Sequence, residues 1–183
     1  MATTQAPAAS STWKIDSSHS HVEFAVKHLM ISTVKGRFAD VEGQIVIVNG
    51  NPSASSVTAT IKAASIDTHT EQRDDHLRSA DFLDVANSPE ITFKSKRITG
   101  DKSEFKLIGD LTIRGVTKEL TLDVTNEGSG KDPWGGERMG FSAKSKVDRR
   151  DFGLIWNQAI ESGGVVVGHE VKVSLEIEAV KES

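Results

Sequence analysis

Apolar residues recur at every second position through most of this chain, and that spacing is the strongest constraint on its fold. In HVEFAVK (21–27), Val22, Phe24 and Val26 fall on one side and Glu23 and Lys27 on the other. A period of two belongs to extended chain, because successive side chains of a strand point to opposite faces. The alternation returns in GQIVIV with Ile45 and Ile47, in VTATIKA with Val57, Ala59, Ile61 and Ala63, and in EITFKSK with Ile91, Phe93 and Ser95. FKLIGDLTI carries Phe105, Leu107, Gly109, Leu111 and Ile113, and ELTLDV carries Leu120, Leu122 and Val124. MGFSAKSKV and VKVSLEIEA complete about eight such runs. One-sided strands joined at hairpin distance predict an all-β fold, an antiparallel sandwich or barrel.

Three segments break the period. THTEQRDDHLRSADFLD (68–84) is polar and rich in helix formers after Thr70, a plausible cap, and predicts a short inserted helix. NEGSGKDPWGGE (126–137) predicts a long Gly-rich hairpin loop. DRRDFGLIWNQAIESGG (148–164) holds Phe152, Leu154, Ile155 and Trp156, which predicts a connection packed on the body of the protein. The first twelve residues, MATTQAPAASST, have neither the basic nor the apolar region of a secretory signal. They predict a disordered tail over 1–12, ahead of one domain over 13–183. No apolar run reaches the length of a membrane span, and the expected location is the cytoplasm.

The chain has no cysteine, which removes disulfides, thiolate metal sites and cysteine nucleophiles. Its net charge of -4 argues against a nucleic-acid partner. GSGKD lacks the spacing of a phosphate loop, and no serine sits in a Gly-x-Ser-x-Gly elbow. His19, His21 and Glu23 would share one face at strand spacing and could supply metal ligands. A wet strand face produces that pattern without a metal, so no metal is expected. His28 has the parity of the apolar residues and is expected to point inward.

The inward set mixes aromatic Phe24, Phe93, Phe105 and Phe141 with small Gly43, Ala59, Ala63, Ser95, Gly109 and Ala143. An eight-strand barrel either fills its interior with side chains or holds one small ligand. The residues alone leave these two outcomes even.

WKIDSSHSHVEFAVKHLMISTVKGRF, RDDHLRSADFLDVANSPEITFKSK, GDLTIRGVTKELTLDV and VDRRDFG occur in this order between Trp13 and about Ala179. Together they closely resemble the YceI-like family. The family's motif positions fall on His19, Ser20, Phe24, His28, Gly36, Phe38, Arg73, Asp74, Asp81, Phe82, Arg149, Asp151, Phe152 and Gly153; His21 is outside its pattern. The resemblance implies an antiparallel lipocalin-like barrel of about eight strands with a short inserted helix. It implies non-enzymatic binding or carriage of a long isoprenoid or similar amphiphilic lipid, with no other cofactor. Many family members are exported; lacking a signal, this chain resembles the cytoplasmic branch.

The ligand-binding set expected on these grounds is Phe24, Val26, His28, Phe38, Ile45, Ala59, Ile61, Phe82, Phe93, Leu111, Leu122, Phe141, Ala143, Arg149, Phe152 and Trp156. His28 and Arg149 are expected to hold the ligand's polar end; alternatively Arg149 ties down the Phe152 loop through Asp151. Expected partners are the lipid, a membrane during lipid exchange, and a second copy in a homodimer. A metal-dependent enzyme on the His19/His21 face, or a filled barrel acting through its surface in stress response, are the alternatives.

Overall fold

The computed structural model describes residues 9–49 and 51–183. Along the described chain lie β1 (Ser10–Ile15), β2 (His21–His28), β3 (Ser32–Phe38), β4 (Val41–Val48), β5 (Ser56–Lys62) and β6 (Ile66–Asp67). Then come α1 (Glu71–Arg78), β7 (Glu90–Gly100), β8 (Glu104–Ile113), β9 (Val116–Lys131), β10 (Glu137–Asp148) and β11 (Val167–Lys181). The strands form one antiparallel sheet in the order β1-β4-β5-β7-β8-β9-β10-β11-β2-β3-β6, and β1 also pairs with β11.

That last pairing closes the sheet into a barrel. β1 and β2 both run along β11, β1 at Ala179–Lys181 and β2 between Val167 and Glu176. On their other side β1 pairs with β4, and β2 with β3. Hence β1–β2 act as one interrupted stave and β3–β4 as the next; with β5, β7, β8, β9, β10 and β11 they make eight. Buried Ser20 bridges the first interruption. Its Oγ donates to the Glu178 carbonyl at 3.2 Å and accepts from the Glu178 N–H at 3.0 Å. A hydroxyl here takes over the ladder bond that the bending backbone gives up.

Alternation finds the eight long runs and misses β1 and β3, which extend two of them. β1 begins at Ser10, so the last three residues of the expected tail belong to the barrel, while 1–8 lie outside the described residues. The expected long loop at 126–137 is largely strand: β9 runs to Lys131, and Lys131 pairs with Glu137. The inserted helix is present as α1. Thr70 occupies its N-cap position without a side-chain cap bond, its Oγ1 accepting from Arg73 instead.

Loops 51–55, 101–103 and 132–136 gather at one end of the barrel. At the other end lie the β2–β3 turn, the β5–β7 connection with α1, the β8–β9 turn and the β10–β11 connection. A cluster of Ala63, Ile66, Leu83 and Ile91 lies at the α1 end, and Trp13, Ile45 and Ala179 pack where β1 meets β11. No helix among the described residues is long and apolar enough to cross a membrane.

Candidate functional site

One side of every stave faces inward, and the barrel encloses a cavity of about 580 Å³. Its side wall includes Phe24 and Val26 of β2, Phe38, Ile45, Ala59 and Ile61, Phe93, Leu111, Leu122, and Phe141 with Ala143. Phe24, Val26, Phe38, Ala59, Ile61, Phe93, Leu111 and Phe141 are only half-buried although they face the interior. In a filled barrel such positions would be sealed by side chains from the opposite wall.

The small residues contribute unevenly to that space. Ala59 and Ala143 line it. A Cβ on Gly109 would fall 2.5 Å from Phe93 Cζ, and one on Gly43 2.7 Å from Ile15 Cδ1, so larger neighbours already occupy the room these glycines leave. Ser95 Oγ accepts the Val57 N–H at 2.8 Å. Ala63 leaves the strand for a 3-10 turn (Ala63–Ser65) and is buried in the core. The volume therefore comes from the girth of the barrel more than from the small residues.

The α1 end is plugged. Leu77, Phe82, Leu83, Phe152 and Leu154 all line this end of the cavity. Buried Asp74 holds the helix down: its Oδ1 accepts from the Thr68 N–H at 2.9 Å and from Thr68 Oγ1 at 2.5 Å. Arg73 donates to Thr68 Oγ1 at 2.7 Å, and Arg78 reaches the carbonyls of Ala64 and Ile66. Arg114, at the β8–β9 turn, donates to the Phe82 carbonyl at 3.0 Å.

Arg149 is the clamp of the plug. It is 5% exposed, and its guanidinium donates to the carbonyls of Gly168 (2.8 Å), Leu154 (2.5 Å), Trp156 (3.0 Å) and Val167 (3.2 Å). Four of its five N–H groups are thus spent on backbone. No carboxylate lies within ion-pair distance among the described residues, and burial lowers its pKa below the ordinary arginine value. The loop is therefore tied through its own carbonyls and not through Asp151, which is exposed.

Two residues of the expected set stand off the cavity. Trp156 lies behind Phe82, its ring 5.4 Å from that of Phe82 and 4.7 Å from that of His76, so it backs the plug. On β2 the cavity wall stops at Val26. His28 is paired with Val167, beyond the irregularity that separates Val167 from Val171 in β11, and is absent from the wall although Val167 lines it. The other fourteen of the sixteen expected residues line the cavity. Leu77, Leu83 and Leu154 were not anticipated, nor was Ile98, which faces inward because a bulge between Ser95 and Arg97 reverses the parity of β7. At the opposite end the lining turns polar, with Asn49, Ser55, Asp101, Lys102 and Asn126.

The supposed histidine face does not form as expected. His19 lies in the turn before β2, not in strand with His21 and Glu23. Its Nδ1 is 2.9 Å from Asp16 Oδ2, and Asp16, His19 and Glu178 are the ligand-type group that converges among the described residues. The Arg138 guanidinium lies against both carboxylates, 2.9 Å from Asp16 Oδ2 and bonded to Glu178. Hydrogen bonds from Ser18, His19 and Arg138 hold the Asp16 carboxyl well below the usual range. An arginine thus supplies the cation these carboxylates need.

A family model described as YceI-like domain matches residues 13–179. Protein YceI of Escherichia coli O157:H7 is 43% identical over 149 residues, 80% of this chain and 78% of that protein. The Campylobacter jejuni YCEI crystal structure shares 34% identity and superposes with a TM-score of 0.72, covering 86% of this chain and 90% of the other. A polyisoprenoid binding domain from Saccharophagus degradans, implicated in plant cell wall breakdown, has the same fold at 15% identity: TM-score 0.67, covering 94% and 98% of the two chains.

Proposed function

The chain belongs to the YceI-like family, and from that footing we propose that it binds or carries an amphiphilic lipid, a long-chain isoprenoid or similar molecule, inside its barrel. The observation that carries this is an apolar cavity of about 580 Å³ plugged at one end and polar at the other. At about 30 Å³ of liquid volume per heavy atom, it takes roughly nineteen chain atoms. Burial of each methylene contributes about 0.8 kcal/mol, so even ten give about 8 kcal/mol, the scale of micromolar binding before entropic costs.

The chain points its tail at the plug, and the polar end rests at the opposite mouth among Asn49, Ser55, Lys102 and Asn126. Arg149 has one donor left to offer, which argues for a structural role. The name of the Saccharophagus degradans domain supports an isoprenoid over other lipids. Binding without catalysis or cofactor, a cytoplasmic location and a homodimer complete the proposal. Mass spectrometry of an organic extract of purified protein, with titration of prenyl quinone, prenyl phenol and fatty acyl probes, tests it. A co-purifying lipid or saturable prenyl binding is expected. Clean extracts together with no probe binding refute it.

A further inference from the structure

The β2–β3 hairpin ends in a turn that its residues resist. The Ile31 N–H donates to the His28 carbonyl at 3.1 Å, and the two residues between, Leu29 and Met30, have φ of 49° and 62°. A turn with both central residues left-handed suits Asn and Gly, not long apolar side chains. At its apex Met30 is 53% and Ile31 83% exposed. Strain retained in order to expose apolar side chains points to use. The apex also touches the segment that plugs the cavity. Leu29 N–H donates to the Val166 carbonyl at 2.9 Å, and Met30 lies over Gly164.

The outer face behind this apex is basic. Lys35 of β3, Ala25 of β2, Lys172 of β11 and Lys146 of β10 are successive cross-strand neighbours. At about 4.8 Å between strands, the row spans about 14 Å. Lys146 and Lys172 stand directly opposite each other, a like-charge pairing that disfavours the sheet. The row borders a groove that also holds Arg37, Lys106 and Lys144, against two acids, Glu23 and Asp123. Arg37, Lys106 and Lys146 have carboxylate partners; Lys35, Lys144 and Lys172 have none among the described residues. This concentration stands out on a chain whose net charge is -4.

We propose that the β2–β3 hairpin docks the protein on anionic bilayers, Met30 and Ile31 entering the interface while the lysine row meets the head groups. An exposed apolar tip flanked by cations is the chemistry of interfacial membrane binding. The inference rests on the lipid-carrier proposal, since a carrier of a membrane lipid must visit a membrane.

Flotation with vesicles of phosphatidylcholine alone, and of phosphatidylcholine mixed with phosphatidylglycerol, tests it. Wild-type protein should float with the anionic vesicles, fail to float with the neutral ones, and be released by salt. Lys35→Ala and Lys172→Ala should each weaken the anionic binding about fivefold. Met30→Gly with Ile31→Ser should abolish flotation while raising the melting temperature, because glycine relieves the left-handed position. Titration of a short prenyl quinone without membrane should be unchanged in all three variants. Wild-type protein that binds the quinone but no vesicle overturns the docking proposal, as do variants that float like wild type. A dimer broken by the apex substitutions, with no flotation of wild type, reassigns the apex to a second copy. Failure to bind the quinone refutes the carrier proposal instead.

Discussion

Ala59 offers the sharpest test of the cavity. It lies on β5 between Gly43 and Phe93 on the flanking strands, lines the cavity, and is half-buried although it faces inward. Tryptophan in its place adds nine heavy atoms to the side chain. In a filled interior that overpacking would cost about 1–3 kcal/mol or more. Here the indole has about 580 Å³ to enter. It would displace about nine of the roughly nineteen ligand atoms that the volume admits. At about 0.8 kcal/mol per methylene, the lost burial approaches 7 kcal/mol, which sets an upper bound of about a hundred-thousandfold on the loss of affinity. The assay is a pair of measurements, thermal melting without lipid and titration with a prenyl quinone. Ala59→Trp should melt within a few degrees of wild type and fail to bind. Ala143 is the comparison: it lines the same cavity but is buried in a cluster with Leu107, Leu122 and Val124, so Ala143→Trp should lose affinity and stability together. Strong destabilisation by Ala59→Trp, or retained affinity, would refute the claim that empty space lies in front of this residue.

Arg149→Met should lower stability by about 3–5 kcal/mol in denaturant titration, because it strips four carbonyls of their donor at once. Gly36→Ala places a Cβ 2.4 Å from Phe24 Cζ and 2.8 Å from Thr68 Cγ2. It should cost about 1–3 kcal/mol and weaken lipid binding as the Phe24 ring moves, read by melting and titration. Asp148 is bonded to Arg150, which holds its pKa down to about 2 from 3.8. Its folded-state pKa is depressed, so its contribution is full above 3.8 and fades as pH falls toward about 2. The melting deficit of Asp148→Asn should therefore be constant near neutrality and vanish at the acid end. Elemental analysis of protein purified without a histidine tag should find no stoichiometric transition metal, since Arg138 already bridges Asp16 and Glu178.

The strands that alternation revealed are those with one wet face and one apolar face. β3, STVKGRF, alternates as well, with Val34, Gly36 and Phe38 on one side. Its middle inward position is glycine because the Phe24 ring needs that space, and a glycine erases the apolar signal. β9 runs on to Lys131 after its pairing with β8 ends at Thr125, so its last residues lie against β10 alone and, with Gly128 and Gly130 among them, read as loop. Within the cavity wall, parity served wherever the ladder is regular. It failed on β7 past the bulge, which brings Ile98 inward, and on β2 the wall stops at Val26, short of His28. Arg149 and Phe152 were legible through the family resemblance. That Arg149 would be satisfied by backbone carbonyls depends on a loop conformation that no local pattern encodes.

β11 touches more of the barrel than any other strand: β10 along one side, β1 and β2 in succession along the other. It is also the last strand to leave the ribosome. Until Val167–Lys181 emerges, β1, β2 and β10 present unpaired edges, and the two halves of the first stave have no common partner to align them. Contacts as distant as Trp13 with Lys181 make closure a late and slow event, the regime in which exposed edges invite aggregation. Nascent chains of this protein should therefore depend on chaperones until β11 has emerged, and truncation within β11 should harm yield far more than the few residues removed would suggest.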